Sequence, residues 1–157
     1  MTVRCPSIDP KGFLPVRFVR AGAPGSRNTS PAVEWSEPPE GTASFALTMI
    51  DRHPVAHNWL HWCVVDIPAS VRALREGASG GSMPDGAREA ENTFGDAGYG
   101  GPQPPRGTGA HDYCITVHAL RVPTVGVDAR ARPETILQAI RSAQIAEASV
   151  IGRYEAR

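Results

Sequence analysis

Several things are missing from this 157-residue sequence, and each absence removes a class of function. There is no Cys-x-x-Cys pair: Cys5, Cys63 and Cys114 are odd in number and far apart, so neither a zinc ribbon nor a thioredoxin-type centre is readable. Cys63 and Cys114 fall inside strand-like runs, where a thiol serves as a small buried hydrophobe. There is no surplus of charge, because Lys plus Arg and Asp plus Glu both number 16. A broad nucleic-acid or membrane-surface role needs a positive field, so anion recognition here has to be local. No long apolar span or signal-type apolar core interrupts Met1–Arg20, and the expectation is an untargeted cytoplasmic protein without membrane insertion. The glycine-rich stretches are not followed by Gly-Lys-Ser/Thr, and no Gly-x-Ser-x-Gly elbow occurs. A P-loop, a Rossmann turn and a serine hydrolase are therefore excluded, and no cofactor is expected.

What the sequence has in quantity is proline and glycine, 15 and 16 residues, which cut the chain into short elements joined by long connections. At this length one domain, residues 1–157, can hide roughly 68–70% of its unfolded surface and needs no metal or disulfide staple. Three strands are predicted. Ser44–Asp51 alternates, with Phe45, Leu47, Met49 and Asp51 on one face. Trp59–Ile67 is apolar on both faces and reads as a central strand. His111–Leu120 alternates again, placing His111, Tyr113, Ile115, Val117 and Ala119 together. Shorter strands are expected at Val16–Arg20 and Ala32–Trp35. A helix start is expected at Pro133-Glu134. Leu137, Ile140, Ala148 and Ile151 then recur near helical spacing up to a stop at Gly152, in one helix or two joined near Ser142. Two unusual loops remain, Gly22–Pro31 and Gly98–Gly109; the second runs into His111 and Tyr113, as a functional loop would.

Four residues carry possible chemistry. His111 and Tyr113, two apart on a strand, point the same way and can donate two hydrogen bonds to one small group. The ordinary alternative, a capped strand-start histidine and a core tyrosine, has the stronger claim on spacing alone. His61 lies within an apolar run, where an imidazole needs a hydrogen bond; a satisfied core histidine is the ordinary reading. Asp51 ends a strand before Pro54 and can equally be a turn-opening residue. His53, His57 and His61 are spaced for one helical stripe, but Pro54 argues against a helix there, so no metal site is expected.

Taken in order, several segments resemble the phosphatidylethanolamine-binding protein family, and more narrowly its bacterial and archaeal, Raf-kinase-inhibitor-like branch. They are Asn28-Thr-Ser-Pro-Ala-Val-Glu-Trp35, Pro38-Pro-Glu-Gly-Thr-Ala-Ser44, Asn58-Trp-Leu-His-Trp-Cys-Val-Val-Asp-Ile-Pro68, the Gly98–Tyr113 strap ending in His-Asp-Tyr, and Ala146–Tyr154. The resemblance implies a mainly β fold, a large antiparallel sheet packed on a smaller one, with peripheral α-helices. It implies a pocket for phosphate, a phosphorylated head group or another anion, lined by Asp51, His61, Gly101, Pro102, His111 and Tyr113. It also implies a homodimer, and a kinase or protease partner by analogy alone. Two departures stand out. The family's Asp-Pro-Asp-Ala-Pro is here Asp51-Arg-His-Pro54, and its His-Arg-Tyr is His111-Asp-Tyr113. If Arg52 or His53 turns inward, anion affinity is strengthened. Two functions are in play: a binding module for a small anion, or an enzyme using Asp51, His61, His111 and Tyr113 as acid and base for isomerisation or cyclisation.

Overall fold

The computed structural model describes all residues from Met1 to Arg157. Eight strands and one α-helix follow one another along the chain. They are β1 (Thr2–Arg4), β2 (Val33–Ser36), β3 (Ser44–Asp51), β4 (Leu60–Pro68), β5 (Ala73–Leu74), β6 (Arg88–Glu89), β7 (His111–Leu120), α1 (Pro133–Ala143) and β8 (Gln144–Tyr154). They form two antiparallel sheets, a small one in the order β1-β2-β5 and a large one in the order β6-β4-β3-β7-β8. No helix is long and apolar enough to cross a membrane.

The alternation read from the sequence sets the layers. Phe45, Leu47 and Met49 of β3 and Ile115, Val117 and Ala119 of β7 face the small sheet, packing with Val33, Trp35 and Leu74. Ala46 and Ile50 face the other way, with Cys63 and Val65 of β4, against Ile136, Ile140 and Ala143 of α1. β3 and β4 are apolar on both faces because both faces are covered. Sealed in this second cluster, the Cys63 thiol is pushed up to about 12 by burial and is chemically inert.

Two short elements differ from the sequence expectation. Val16–Phe18 is a 3-10 turn entered from Pro15, not a strand. The helix begins at Pro133 with Glu134 in its first turn, but it ends at Ala143, and the residues beyond are strand β8. Ala148 and Ile151 match helical spacing only by coincidence. Their segment alternates half-buried and exposed residues and pairs one for one with β7, from Ala146 opposite Ala119 to Tyr154 opposite His111. A single peripheral helix therefore replaces the expected plural. His53, His57 and His61 form no helical stripe: Pro54–Ala56 is a 3-10 turn and Leu60 begins a strand.

Candidate functional site

Antiparallel pairing brings the chemistry together at one end of the large sheet. Asp51, last in β3, lies opposite Tyr113 of β7, and His111 is two residues from Tyr113 on the same side. His61 reaches that side through a bulge. Met49 pairs with Trp62 and Ile50 with Leu60, so His61 is the extra residue. A bulge re-aims a side chain at the cost of one ladder position. Here it allows consecutive residues, His61 and Trp62, both to serve the face that the small sheet covers.

These four side chains line a cavity of about 230 Å³ together with Val55, Ala56, Trp59, Phe94, Gln103, Pro104 and Pro105. Drug-sized ligands occupy roughly 300–1,000 Å³, so only a small molecule or head group is enclosed. Gly101 and Pro102 do not line it. They anchor the strap instead: the Gly101 N–H donates to Asn28 Oδ1 (2.8 Å) and the Pro102 carbonyl accepts from Arg20 N–H (3.0 Å). Gly101 runs so close to Phe18 that a Cβ would collide with the Phe18 carbonyl oxygen. The loop from Gly22 to Pro31 thus contributes Asn28, in left-handed conformation at φ 52°, as a clamp on the second loop. Beyond the clamp the strap delivers Gln103, Pro104 and Pro105 to the cavity wall. The strap is legible in the sequence, but that Gln103–Pro105 face inward in place of the expected Gly101 and Pro102 is not.

The hydrogen bonds assign protons. Asp51 Oδ2 accepts from His111 Nδ1 at 2.7 Å, and Oδ1 accepts from the His53 N–H at 2.9 Å. The Thr108 hydroxyl donates to the Pro105 carbonyl at 2.7 Å and lies 2.8 Å from His111 Nε2. The carboxylate fixes a proton on Nδ1 of His111, which donates to it, while Nε2 faces the Thr108 hydroxyl. The Asp51–His111 hydrogen bond is buried from solvent, both side chains being almost fully covered. His61 is neutral, its pKa lowered by burial against the opposing effect of the Gly100 carbonyl. Its Nδ1–H donates to Gly100 O at 2.6 Å, which leaves Nε2 a free acceptor. Tyr113 is held as the phenol, its pKa raised first by burial and then by the Asp51 charge. The Tyr113 side chain is fully buried, yet its hydroxyl has no hydrogen-bond partner, and neither has the Trp59 indole N–H.

The altered loop does not bring a cation into the cavity. The Arg52 guanidinium donates to Asn58 Oδ1 (2.9 Å) and lies in a groove on the opposite face of the sheet. His53 stacks flat on His111, ring centroids 3.9 Å apart and planes 9° apart, and its Nδ1 accepts the Val55 N–H. It thereby caps the turn whose Val55 and Ala56 form one wall. Asp112 points away, at the register position opposite Arg153.

The sequence matches the phosphatidylethanolamine-binding protein family over residues 5–155. The chain belongs to that family. Among its relatives are two Escherichia coli proteins of the UPF0098 group. YbcL is 40% identical over 132 residues, covering 82% of this chain and 72% of YbcL. YbhB is 37% identical, covering 81% and 82%. The crystal structure of YbcL superimposes with a TM-score of 0.91 at 36% identity, over 99% of this chain and 98% of the other. A phosphatidylethanolamine-binding protein homologue from Chlamydia trachomatis, CT736, gives 0.83 at 25% identity, over 99% and 97%. The two-sheet architecture expected from the resemblance is therefore the family's fold, and the Asp51–Arg52–His53–Pro54 variation is accommodated without disturbing it.

Proposed function

We propose that this protein binds a small anionic or phosphorylated ligand in the Asp51–His61–His111–Tyr113 cavity. The observation that carries the reading is the Tyr113 hydroxyl, fully buried at the cavity and without a partner. Leaving such a donor unmade costs about 1–3 kcal/mol, and a ligand oxygen would recover it. The Trp59 N–H is a second waiting donor. The apolar walls from Val55, Ala56, Phe94, Pro104 and Pro105 suit the remainder of a small amphipathic molecule. Calorimetric titration with phosphate and with phosphoethanolamine tests this: the expectation is one site per chain, weakened about 10-fold or more in Tyr113→Phe. No heat with either ligand, or binding untouched by that substitution, would remove the proposal.

A second reading rests on His61. A neutral imidazole with Nε2 free, beside a phenol donor and an oriented His111–Asp51 pair, has the parts of an acid–base catalyst for isomerisation or cyclisation. Its signature would be a substrate turned over by the native chain but not by His61→Asn, with binding retained.

A further inference from the structure

The face of the large sheet that turns away from the cavity is only partly covered. α1 seals Ala46, Cys63 and Val65 with Ile136, Ile140 and Ala143, but beside the helix the same face carries a run of polar side chains. Cross-strand pairing lines them up. Thr48 of β3 lies opposite Thr116 of β7, which lies opposite Ser149 of β8, and in the next row of that face His118 lies opposite Glu147. Thr48, Thr116 and His118 are 2%, 6% and 9% exposed, and polar side chains so deeply placed on interior strands ask for a reason. They floor a groove of about 560 Å³, more than twice the volume of the cavity on the other face and within the range of small-molecule sites. Ile50, Leu137 and Ile140 form an apolar flank, and Arg52 and Arg141 also line the groove.

The hydrogen bonds within this floor leave a definite set of groups free. Buried His118 is neutral, and its Nδ1–H donates to Gln144 Oε1 at 2.6 Å, so Nε2 accepts from the Thr48 hydroxyl at 3.0 Å. The Gln144 amide nitrogen keeps both its hydrogens for another partner. Thr116 and Ser149 share one proton across 2.7 Å, and the second hydroxyl hydrogen of the pair has only the Cys114 sulfur, 3.6 Å from Thr116 Oγ1, within reach. Arg52 and Arg141 each donate one N–H to a neutral amide, Asn58 and Gln138, and no carboxylate pairs with either guanidinium. Glu147 is the one carboxylate of the groove. Free hydroxyl and amide hydrogens beside oxygen lone pairs match a molecule with several hydroxyls, each donor and acceptor at once. Two guanidinium groups against one carboxylate match an acidic group on it. We infer that this groove binds a small anionic polyol, a sugar-sized molecule bearing a carboxylate or a phosphate. Its hydroxyls lie along the Thr116–Ser149 row and accept from the Gln144 amide, Arg52 and Arg141 hold its acidic group, and the apolar flank faces its carbon skeleton. The site is independent of the Asp51–His61–His111–Tyr113 cavity, with which it shares no lining residue.

Amide-resolved NMR titration of the full chain tests this, with glucuronate and glucose 6-phosphate as probes and glucose and inorganic phosphate as controls. The Ser149 backbone amide and the Gln144 side-chain amide report the groove, whereas the Trp59 indole N–H and the Gln103 side-chain amide report the cavity. At least one acidic sugar should shift the groove signals saturably, and glucose should bind there about tenfold more weakly or worse, the worth of a hydrogen bond to a charged partner. A response to glucuronate alone assigns the acidic group as a carboxylate, and a response to glucose 6-phosphate alone assigns it as a phosphate; either supports the inference. Arg52→Gln and Arg141→Gln, both at exposed positions, should each weaken binding about tenfold. Ser149→Ala, also exposed, should weaken it about threefold, and all three should melt as the native chain does. Groove signals unmoved by both acidic sugars overturn the inference. So does glucose binding as tightly as the acidic sugars, inorganic phosphate alone moving the groove signals as strongly, a response confined to Trp59 and Gln103, or native affinity in all three variants.

Discussion

At the scale of single residues, the cavity is defined by how few charges it holds. Asp51 and His111 are hydrogen-bonded to each other, His61 is neutral, and the remaining polar side chains are the Tyr113 phenol, the Trp59 indole and the Gln103 amide. Tyr113→Phe separates binding from stability. It removes a buried hydroxyl that has no partner, so thermal stability without ligand should stay level or rise slightly. Phosphate affinity should fall about 10-fold or more, the worth of a hydrogen bond to a charged partner. His61 sets the pH dependence. Its pKa is lowered by burial, so an anion that favours the imidazolium must be bound with proton uptake. Sulfate, whose charge is constant over this range, should therefore bind more tightly as pH falls below about 6.5 and show little pH dependence above neutrality. His61→Asn should flatten that profile in the same titration. Asp51→Asn replaces the carboxylate that accepts from both His111 Nδ1 and the His53 N–H and should cost about 1–3 kcal/mol, measured by urea unfolding.

At the scale of elements, two loops and a bulge do the positioning. The strap from Gly98 depends on Gly101 because a Cβ there meets backbone, not a movable side chain. Gly101→Ala should destabilise by about 3 kcal/mol or more and also weaken ligand binding, since Gln103–Pro105 move with it. The Pro54–Ala56 turn is held by the His53 side chain accepting the Val55 N–H. It is followed by two non-glycine residues in left-handed conformation, His57 (φ 50°) and Asn58 (φ 56°), a costly arrangement that the surroundings must hold in place. His53→Ala removes both the cap and the stack on His111. The expected result is about 1 kcal/mol of stability lost with a larger effect on ligand affinity than on unfolding, read by calorimetry and thermal melts side by side.

At the scale of the whole molecule, stability should fall on acidification. His61 and His118 are both buried and both have pKa values lowered chiefly by desolvation; for His118, Gln144 and Glu147 oppose the shift. A histidine with a folded pKa below its unfolded value takes up its proton on unfolding first. Unfolding is then favoured as pH drops below about 6.5, and the stability is present above that point. Each such histidine contributes a slope of at most about 1.4 kcal/mol per pH unit. His118→Asn, which keeps a polar group near Thr48, should flatten the limb by about that much in urea unfolding between pH 5 and 6.5.

Much of this protein was determined by its sequence alone. Period-two alternation fixes which residues of β3 and β7 share a face, because side-chain direction in a strand reverses at every residue. The Gly-Pro strap and its His-Asp-Tyr end mark the site and carry the family resemblance. Other features belong to the tertiary structure, because they depend on partners remote in the chain. β8 is a strand and not a helix because β7 offers it a ladder; its own spacing fits either. Val16–Phe18 is a turn because Phe18 packs under the strap. His61 faces the cavity because a bulge against β3 adds one residue, and no local pattern announces a register shift. The Asp51–His111 pair was also decided by folding: the two residues are 60 positions apart, and only their approach to 2.7 Å makes the hydrogen bond that orients both at the cavity.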